Sequence, residues 1–285
     1  MENTVLKVED LTKELLFTEW VTNMKSQADV AKEYNTSLWQ IEKRIKAFGL
    51  TGARGKQMYE VLEEKLTLES VDAAYIIGLI IADGYINIPK DRVEIAVTND
   101  REILQTISNY ISANKHKPVP IYGYNSSSAG KVNYRISFKA PDFVAYLKAI
   151  GVAVEDKTAN VRFPTTTDRS TFDHMFRGVM DGDGSIRKRR SQLSLGLSAQ
   201  MYSLSHSFID TFLAEFCKYY PEECITVSPV KGKSGKCISF KQDFTMDLVR
   251  IYNMDKDFVL QRKLSIVNTV VDDIVQLYGK VNRIK

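Results

Sequence analysis

The sequence predicts an α+β protein: two pseudo-symmetric repeats of order α-β-β-α-β-β-α, preceded by a small all-α domain. Three observations carry that prediction. Ile76-Ile77-Gly78-Leu79-Ile80-Ile81-Ala82-Asp83-Gly84 recurs as Phe176-Arg177-Gly178-Val179-Met180-Asp181-Gly182-Asp183-Gly184, 100 residues further on. Each copy is an apolar stretch that holds a glycine and stops at Asp-Gly. After each copy, helical and alternating hydrophobic patterns follow in one order. The 285 residues are enough for two or three domains with sizeable cores.

The first 66 residues read as helical. Ser26 is a cap for a short helix through Tyr34, with Val30 and Ala31 facing inward. Asn35-Thr36 supplies a turn, and Ser37 caps a second helix to about Phe48. Leu38, Ile41 and Ile45 recur there at helical spacing, and Gly49 stops the helix. The expected divisions are a helical domain over 1–50, a linker over 51–69 opened by Gly52 and Gly55, and a first repeat over 70–160. A connection over 161–169 and a second repeat over 170–285 complete the chain.

In the first repeat the pattern predicts a helix over 70–83, strands near 85–88 and 92–98, and a helix over 101–113. Strands near 119–124 and 131–138 flank a turn at 125–130, and Pro141 opens a helix that ends before Gly151. The second repeat predicts a helix over 170–181, strands near 185–188 and 192–198, and a helix over 202–220. Strands near 225–229 and 236–240 flank a Lys-Gly-Lys-Ser-Gly turn, and two helices close the chain. Alternation such as Val93, Ile95, Val97 implies sheets with one covered and one open face.

Composition narrows the setting. The net charge is +4, made of −1 over residues 1–66 and +5 over the rest. Arg187-Lys188-Arg189-Arg190, with Lys231, Lys233, Lys236 and Lys241, marks a surface for a polyanion. No basic start and apolar run of a secretory signal is evident. The longest apolar run, Ala73 to Ala82, is too short to span a membrane. Cys217, Cys224 and Cys237 lack a C-x-x-C spacing and read as free thiols. The expected location is the cytoplasm, a nucleoid or an organelle matrix, not a secreted or membrane setting.

The two nine-residue stretches resemble the LAGLIDADG motif of the homing endonucleases, and the repeat order over about 70–285 is similar to that family's. The resemblance implies that the two motif helices pack side by side, with Gly78 and Gly178 at their crossing and Ala82 and Gly182 continuing the contact. Asp83 and Asp183 then stand together at the helix ends, where free carbonyls, those of Ala82 and Gly182 among them, join as oxygen donors. Gly84 and Gly184 are expected to supply left-handed turns into the strands. Such an oxygen site suits Mg²⁺ (or Mn²⁺) and supports phosphodiester hydrolysis. This chain has Ile81 where the motif has its first Asp, and Ile77 and Arg177 replace the motif's first alanine. Asp181 fills the sixth position of the second copy, about 200° around the helix from Asp183, and reads as secondary.

Further roles are implied by the same resemblance. Lys157 and Lys263 match a lysine near the end of each repeat that places positive charge beside the scissile phosphate. Arg262 and Lys280 compete for the second place. Asn99 matches a polar residue that positions water, and the position 100 residues on is Ala199, beside Gln200. The strands would form two saddles over the major groove of double-stranded DNA. Tyr85, Asn87, Lys90, Arg92, Glu94, Tyr122, Tyr124, Asn125, Lys131, Asn133 and Arg135 are the reading candidates of the first repeat. Ser185, Arg187, Arg189, Gln192, Ser194, Lys231, Lys233, Lys236 and Lys241 are those of the second. Residues 26–48 resemble a helix-turn-helix, which directs Trp39, Gln40, Lys43 and Arg44 to DNA bases and Arg54 and Lys56 to phosphates.

The expected protein is therefore a monomeric, site-specific endonuclease that cuts both strands of a long, non-palindromic target, leaving short 3′ overhangs. Two alternatives share the fold: a non-cleaving DNA-binding transcription regulator, and an RNA-splicing maturase. An intein is disfavoured, because the chain opens on Met1 and ends Asn282-Arg283-Ile284-Lys285.

Overall fold

The computed structural model describes residues 10–23, 25–51, 59–125, 132–191, 194–230, 232 and 234–281; at 125, 190–191, 194–195 and 274–281 only the backbone is considered. Arg54, Lys56, Lys131, Gln192, Lys231 and Lys233 lie outside the described residues, and Asn125 and Ser194 contribute backbone alone. The chain forms two compact units, 1–60 and 61–285.

In the first unit, α1 (Lys13–Leu16) runs into a π-helical turn over Phe17–Thr22, followed by α2 (Gln27–Glu33) and α3 (Leu38–Ala47). Ser26 and Asp29 form a capping box at the start of α2, and Ser37 Oγ accepts from Gln40 N at the start of α3. Asn35 takes the left-handed conformation the tight turn needs, at φ 45°. Leu11, Leu16, Trp20, Val30, Tyr34, Ile41 and Ile45 make the core. Leu38 was expected on that inward face but is exposed; it sits at the first helical position, beyond the reach of the core.

The second unit begins before the expected linker ends. Val61 bridges Ser112, and Leu66 and Leu68 are buried. Then come α4 (Val71–Asp83), β1 (Gly84–Asn87), β2 (Arg92–Thr98), α5 (Arg101–Ile111), β3 (Ile121–Asn125), β4 (Val132–Lys139) and α6 (Pro141–Ala149). A short α7 (Lys157–Asn160) leads to the second repeat: α8 (Arg169–Gly182), β5 (Ser185–Ser191), β6 (Ser194–Ser203), α9 (His206–Tyr219), β7 (Ile225–Pro229), β8 (Lys236–Phe240), α10 (Thr245–Asn253) and α11 (Gln261–Val281). The two four-stranded antiparallel sheets have matching orders, β1-β2-β4-β3 and β5-β6-β8-β7. The architecture is α+β. No helix among the described residues is long and apolar enough to cross a membrane.

Two glycines fix the seam between the repeats. A Cβ on Gly78 would stand 2.1 Å from Met175 O, and one on Gly178 would stand 2.2 Å from Tyr75 O. The backbones of α4 and α8 touch where any side chain would hold them apart. Gly84 and Gly184 are required for a related reason, not the expected one. Gly84 is extended, with φ −82° and ψ 147°, and Gly184 has no positive φ. Their added Cβ atoms would meet Ile80 Cα at 2.6 Å and Met180 O at 2.4 Å, so the chain doubles back over its own helix where only glycine fits.

The second hairpin is longer than the first. Gly84 lies opposite Ile95, whereas Ser185 lies opposite Gln200, which sets Gly184 across from Met201, 106 residues beyond Ile95. The repeat offset thus grows from 100 to 106 through a six-residue extension. The same extension carries β6 through Tyr202, where a helix was expected. Tyr202 pairs with Cys237, and α9 waits for Ser205, whose Oγ accepts from Phe208 N.

Candidate active site and nucleic-acid interface

The ends of α4 and α8 deliver Asp83 and Asp183 to one cavity of about 530 Å³. Its walls include Ala82, Gly84, Lys157 and Thr158 from the first repeat and Val179, Met201, Tyr202 and Leu204 from the second. Gly182 makes room for the approach: a Cβ there would stand 2.3 Å from Ala82 Cβ and 3.1 Å from Asp83 Oδ2. The Asp83 carboxylate therefore lies across the seam, against the other repeat's helix. Burial raises its pKa to about 6, with the Asp183 charge as the next cause, while Lys263, Lys157 and Arg262 pull it back. Asp183 is also shifted upward by burial, against the pull of Lys157 and Lys263.

The two lysines are brought to equivalent places. Lys263, 106 residues after Lys157, meets the end of α8 as Lys157 meets the end of α4. Lys157 Nζ donates to Ile80 O at 2.6 Å and Gly84 O at 2.5 Å, with Ala82 O at 3.5 Å. Lys263 Nζ donates to Met180 O, to Asp181 O at 2.8 Å and to Gly184 O at 2.7 Å. Each ammonium thus closes the C-terminus of a motif helix, gathering carbonyls of its last turn and of the glycine that follows, at the end where partial negative charge collects. Sequence reading assigned the lysines only to phosphate and missed this capping role. Burial lowers both pKa values to about 8, opposed first by Asp183 at Lys157 and by Asp181 at Lys263. Arg262, the sequence competitor, turns instead to Asp100, Nε to Oδ2 2.8 Å. The side chain of Lys280 is outside the described residues.

Asn99 has another task. It adopts φ 65°, donates N–H to Val132 O at 2.9 Å, and its Oδ1 accepts from Val132 N at 3.1 Å. It closes the end of the β2–β4 ladder and is not among the cavity walls. Its counterpart, by the offset of 106, is Ser205, and not Ala199, which is buried inside β6. Asp181 is 1 % exposed and accepts from three donors, Tyr75 OH, Tyr252 OH and Leu260 N.

The open faces of the sheets carry the reading candidates unevenly. On the first, Tyr85, Tyr122 and Tyr124 are exposed, beside Arg92, Asn133 and Arg135, while Asn87 is half-buried. Register places Tyr85 opposite Glu94 and Tyr122 opposite Arg135. Arg135 pairs with Glu94 at 3.4 Å and lies over the Tyr124 ring at 5.7 Å. Lys90 is exposed on a 3₁₀ turn just past β1. On the second sheet, Ser185, Arg187 and Arg189 share the open side with Ser198 and Gln200. The basic run divides by strand parity: Lys188 faces the other way and pairs with Asp273 of α11. Lys236 has the parity of the buried Ile238 and Phe240, so it does not belong to the open face; Lys241 is exposed just beyond β8.

In the first unit Trp39 is 64 % exposed, with Lys43 Nζ 5.1 Å from its ring centre. Gln40 is exposed and accepts from Thr36 Oγ1 at 2.8 Å. Arg44 turns inward: it donates to Leu11 O at 3.0 Å and lies over Phe48 at 5.9 Å. It ties α3 to the chain ahead of α1 and is withdrawn from the candidate DNA contacts.

No family model matches the sequence, and no curated protein matches it. Solved structures do resemble the fold, at low identity. The homing endonuclease I-WcaI bound to its DNA recognition sequence is 12 % identical, with 70 % of this chain and 87 % of that chain covered and a TM-score of 0.48. Full-length DUF199/WhiA from Thermatoga maritima is 14 % identical over 78 % of this chain and 71 % of that one, at 0.45. I-DmoI in complex with DNA and Mn is 12 % identical over 65 % and 97 %, at 0.39.

Proposed function

We propose that this chain is a divalent-metal-dependent endonuclease that cuts both strands of a specific, long, non-palindromic DNA duplex and acts as a monomer. The observation that carries the reading is the pair Asp83 and Asp183, set in one cavity by two equivalent helices and flanked by two equivalent lysines. Two carboxylates in one cavity, the Asp183 charge raising the proton affinity of Asp83, fit a cation between them, and hard oxygen donors suit Mg²⁺ or Mn²⁺. Among the described residues no group of three or more acidic, His or Cys side chains gathers. Asp83 and Asp183 would hold the ion, with phosphate and water oxygens making up the remainder. When bound, it supplies Lewis acidity and a water of lowered pKa. Lys157 and Lys263 keep positive charge next to the reacting phosphates while holding the helix ends rigid.

Tyr85, Arg92, Asn133, Arg135, Arg187 and Arg189 present donors and rings from the two open faces for major-groove base edges. Two unlike faces in one chain suit a target without two-fold symmetry. The pair α2–α3 is read as a helix-turn-helix that adds Trp39, Gln40 and Lys43 to the footprint and raises affinity through tethering.

One observation favours a binding-only regulator as the second reading. The N–H bonds of each lysine go to backbone carbonyls at the end of a motif helix, a structural role that a non-cleaving protein also needs. The deciding experiment incubates the protein with duplex DNA in which the flanks of its own coding region are joined, in Mg²⁺ and in EDTA. Metal-dependent double-strand cuts that vanish in Asp83→Asn and Asp183→Asn support the enzyme. Tight binding without cuts in Mg²⁺ or Mn²⁺ supports the regulator.

A further inference from the structure

Asp181 is the one carboxylate of the repeated motif that the reaction does not use, and its place in the fold is asymmetric. It sits fully inside the seam, bonded to Tyr75 OH of α4 at 2.9 Å and Tyr252 OH of α10 at 2.9 Å. Its third partner is the backbone N–H of Leu260, at 2.8 Å. Leu260 is the residue from which α11 starts: its carbonyl accepts from Lys263 N at 2.9 Å and Leu264 N at 3.1 Å. Lys263 is in the first turn of that helix and reaches back to the carbonyl of Asp181 itself. One residue therefore holds the lysine at both ends, the side chain by fixing the helix start and the main chain by accepting the ammonium.

The first repeat has no such device. Its motif carries Ile81 at the matching position, which offers no acceptor. The residue three before Lys157, as Leu260 is three before Lys263, is Val154, and Lys157 begins its own short helix after Asp156, held left-handed at φ 47°.

We propose that Asp181 is the positioning residue for Lys263, so that the second lysine is governed by a buried anchor that the first lacks, and that loss of the anchor turns a double-strand cutter into a strand-selective nicking enzyme. The inference rests on the endonuclease reading for its catalytic consequence, and on the hydrogen bonds alone for its structural one. Asp181→Leu removes every acceptor; Asp181→Asn keeps one carbonyl oxygen and is the milder variant should leucine prevent folding.

The experiment has two arms. In the first, each strand of a joined-flank duplex is end-labelled and its cutting followed separately in Mg²⁺. Asp181→Leu slows one strand by roughly 100-fold, the loss that a misplacement of about an ångström produces, and leaves the other within threefold. Asp181→Asn slows the same strand by a smaller factor. Lys263→Met identifies that strand, and Lys157→Met affects the other. In the second arm, hydrogen exchange is compared over 258–264 and 155–161. The anchor predicts faster exchange in the former alone. Equal slowing of both strands, or unchanged exchange over 258–264, overturns the proposal. If the wild type binds and leaves DNA uncut, the nuclease reading falls, and the exchange arm still decides whether Asp181 anchors the helix.

Discussion

Replacing Gly78 with alanine sets two effects of opposite sign against each other. Alanine is the better helix former by about 1 kcal/mol, so propensity alone predicts a more stable protein. The seam predicts the reverse. The new Cβ would stand 2.1 Å from Met175 O, against the 3.4 Å at which ordinary van der Waals contact begins. The obstacle is backbone in a neighbouring helix, so α4 and α8 must separate, and every contact along the seam loosens with them. Overpacking of this kind costs about 3 kcal/mol, the upper end of its usual range, leaving a net loss near 2 kcal/mol after the propensity gain. For a unit of this size that lowers Tm by roughly 4–8 °C. Gly178→Ala, with its Cβ 2.2 Å from Tyr75 O, should match it. The double variant should lose less than the sum, because one separation relieves both clashes. Gly123→Ala is the control: its Cβ meets side chains alone, the Tyr134 ring at 3.2 Å and Val132 Cγ1 at 4.0 Å, and the effect stays within about 0.5 kcal/mol. Thermal and urea unfolding of the four variants reads the result. A Gly78→Ala protein as stable as the wild type would refute the tight seam.

Other outcomes follow from the site and the first unit. Asp83 has a folded pKa of about 6, above the ordinary carboxylate value, so its ionisation destabilises the metal-free fold above that pH, and the penalty is relieved as pH falls through 6 toward 4. Metal-free Asp83→Asn should therefore melt above the wild type at pH 7.5 and level with it near pH 4.5. Mg²⁺ competes with that proton, so its stabilisation of the wild type should be clear at pH 7.5, fade below pH 6, and be absent in Asp83→Asn; fluorescence melting curves read both. Trp39→Ala should weaken DNA binding roughly tenfold with unchanged Tm, whereas Arg44→Ala should lower stability by about 1–2 kcal/mol and leave affinity within twofold. The reverse pattern would show that α3 does not present Trp39 to DNA.

The repeated motif made the seam, the carboxylate pair and the order of elements legible, because glycine spacing and strand alternation are local signals. What the sequence hid depends on long-range register. The six-residue extension of the second hairpin carries no composition signal, so a fixed offset of 100 paired Asn99 with Ala199 and ended β6 too early. Gly84 looked like a left-handed turn because Asp-Gly commonly is one; the need here is steric, and only the fold-back over Ile80 reveals it. Arg44 and Lys188 read as free surface cations, and their partners, Leu11 O and Asp273, are far away in sequence. The lysine caps were hidden for the same reason: Lys157 and Lys263 lie more than 70 residues from the carbonyls they close.

Asp83 and Asp183 are proposed to perform metal-dependent hydrolysis of DNA together. The most direct measurement is strand scission of the joined-flank duplex by wild type, Asp83→Asn and Asp183→Asn, in Mg²⁺ and in EDTA at equal binding saturation. The wild type should make double-strand cuts in Mg²⁺ alone, and either variant should lose roughly 100-fold or more of that activity with binding retained. Saturated binding with no cut by the wild type, or cutting that survives both substitutions, would contradict the proposal.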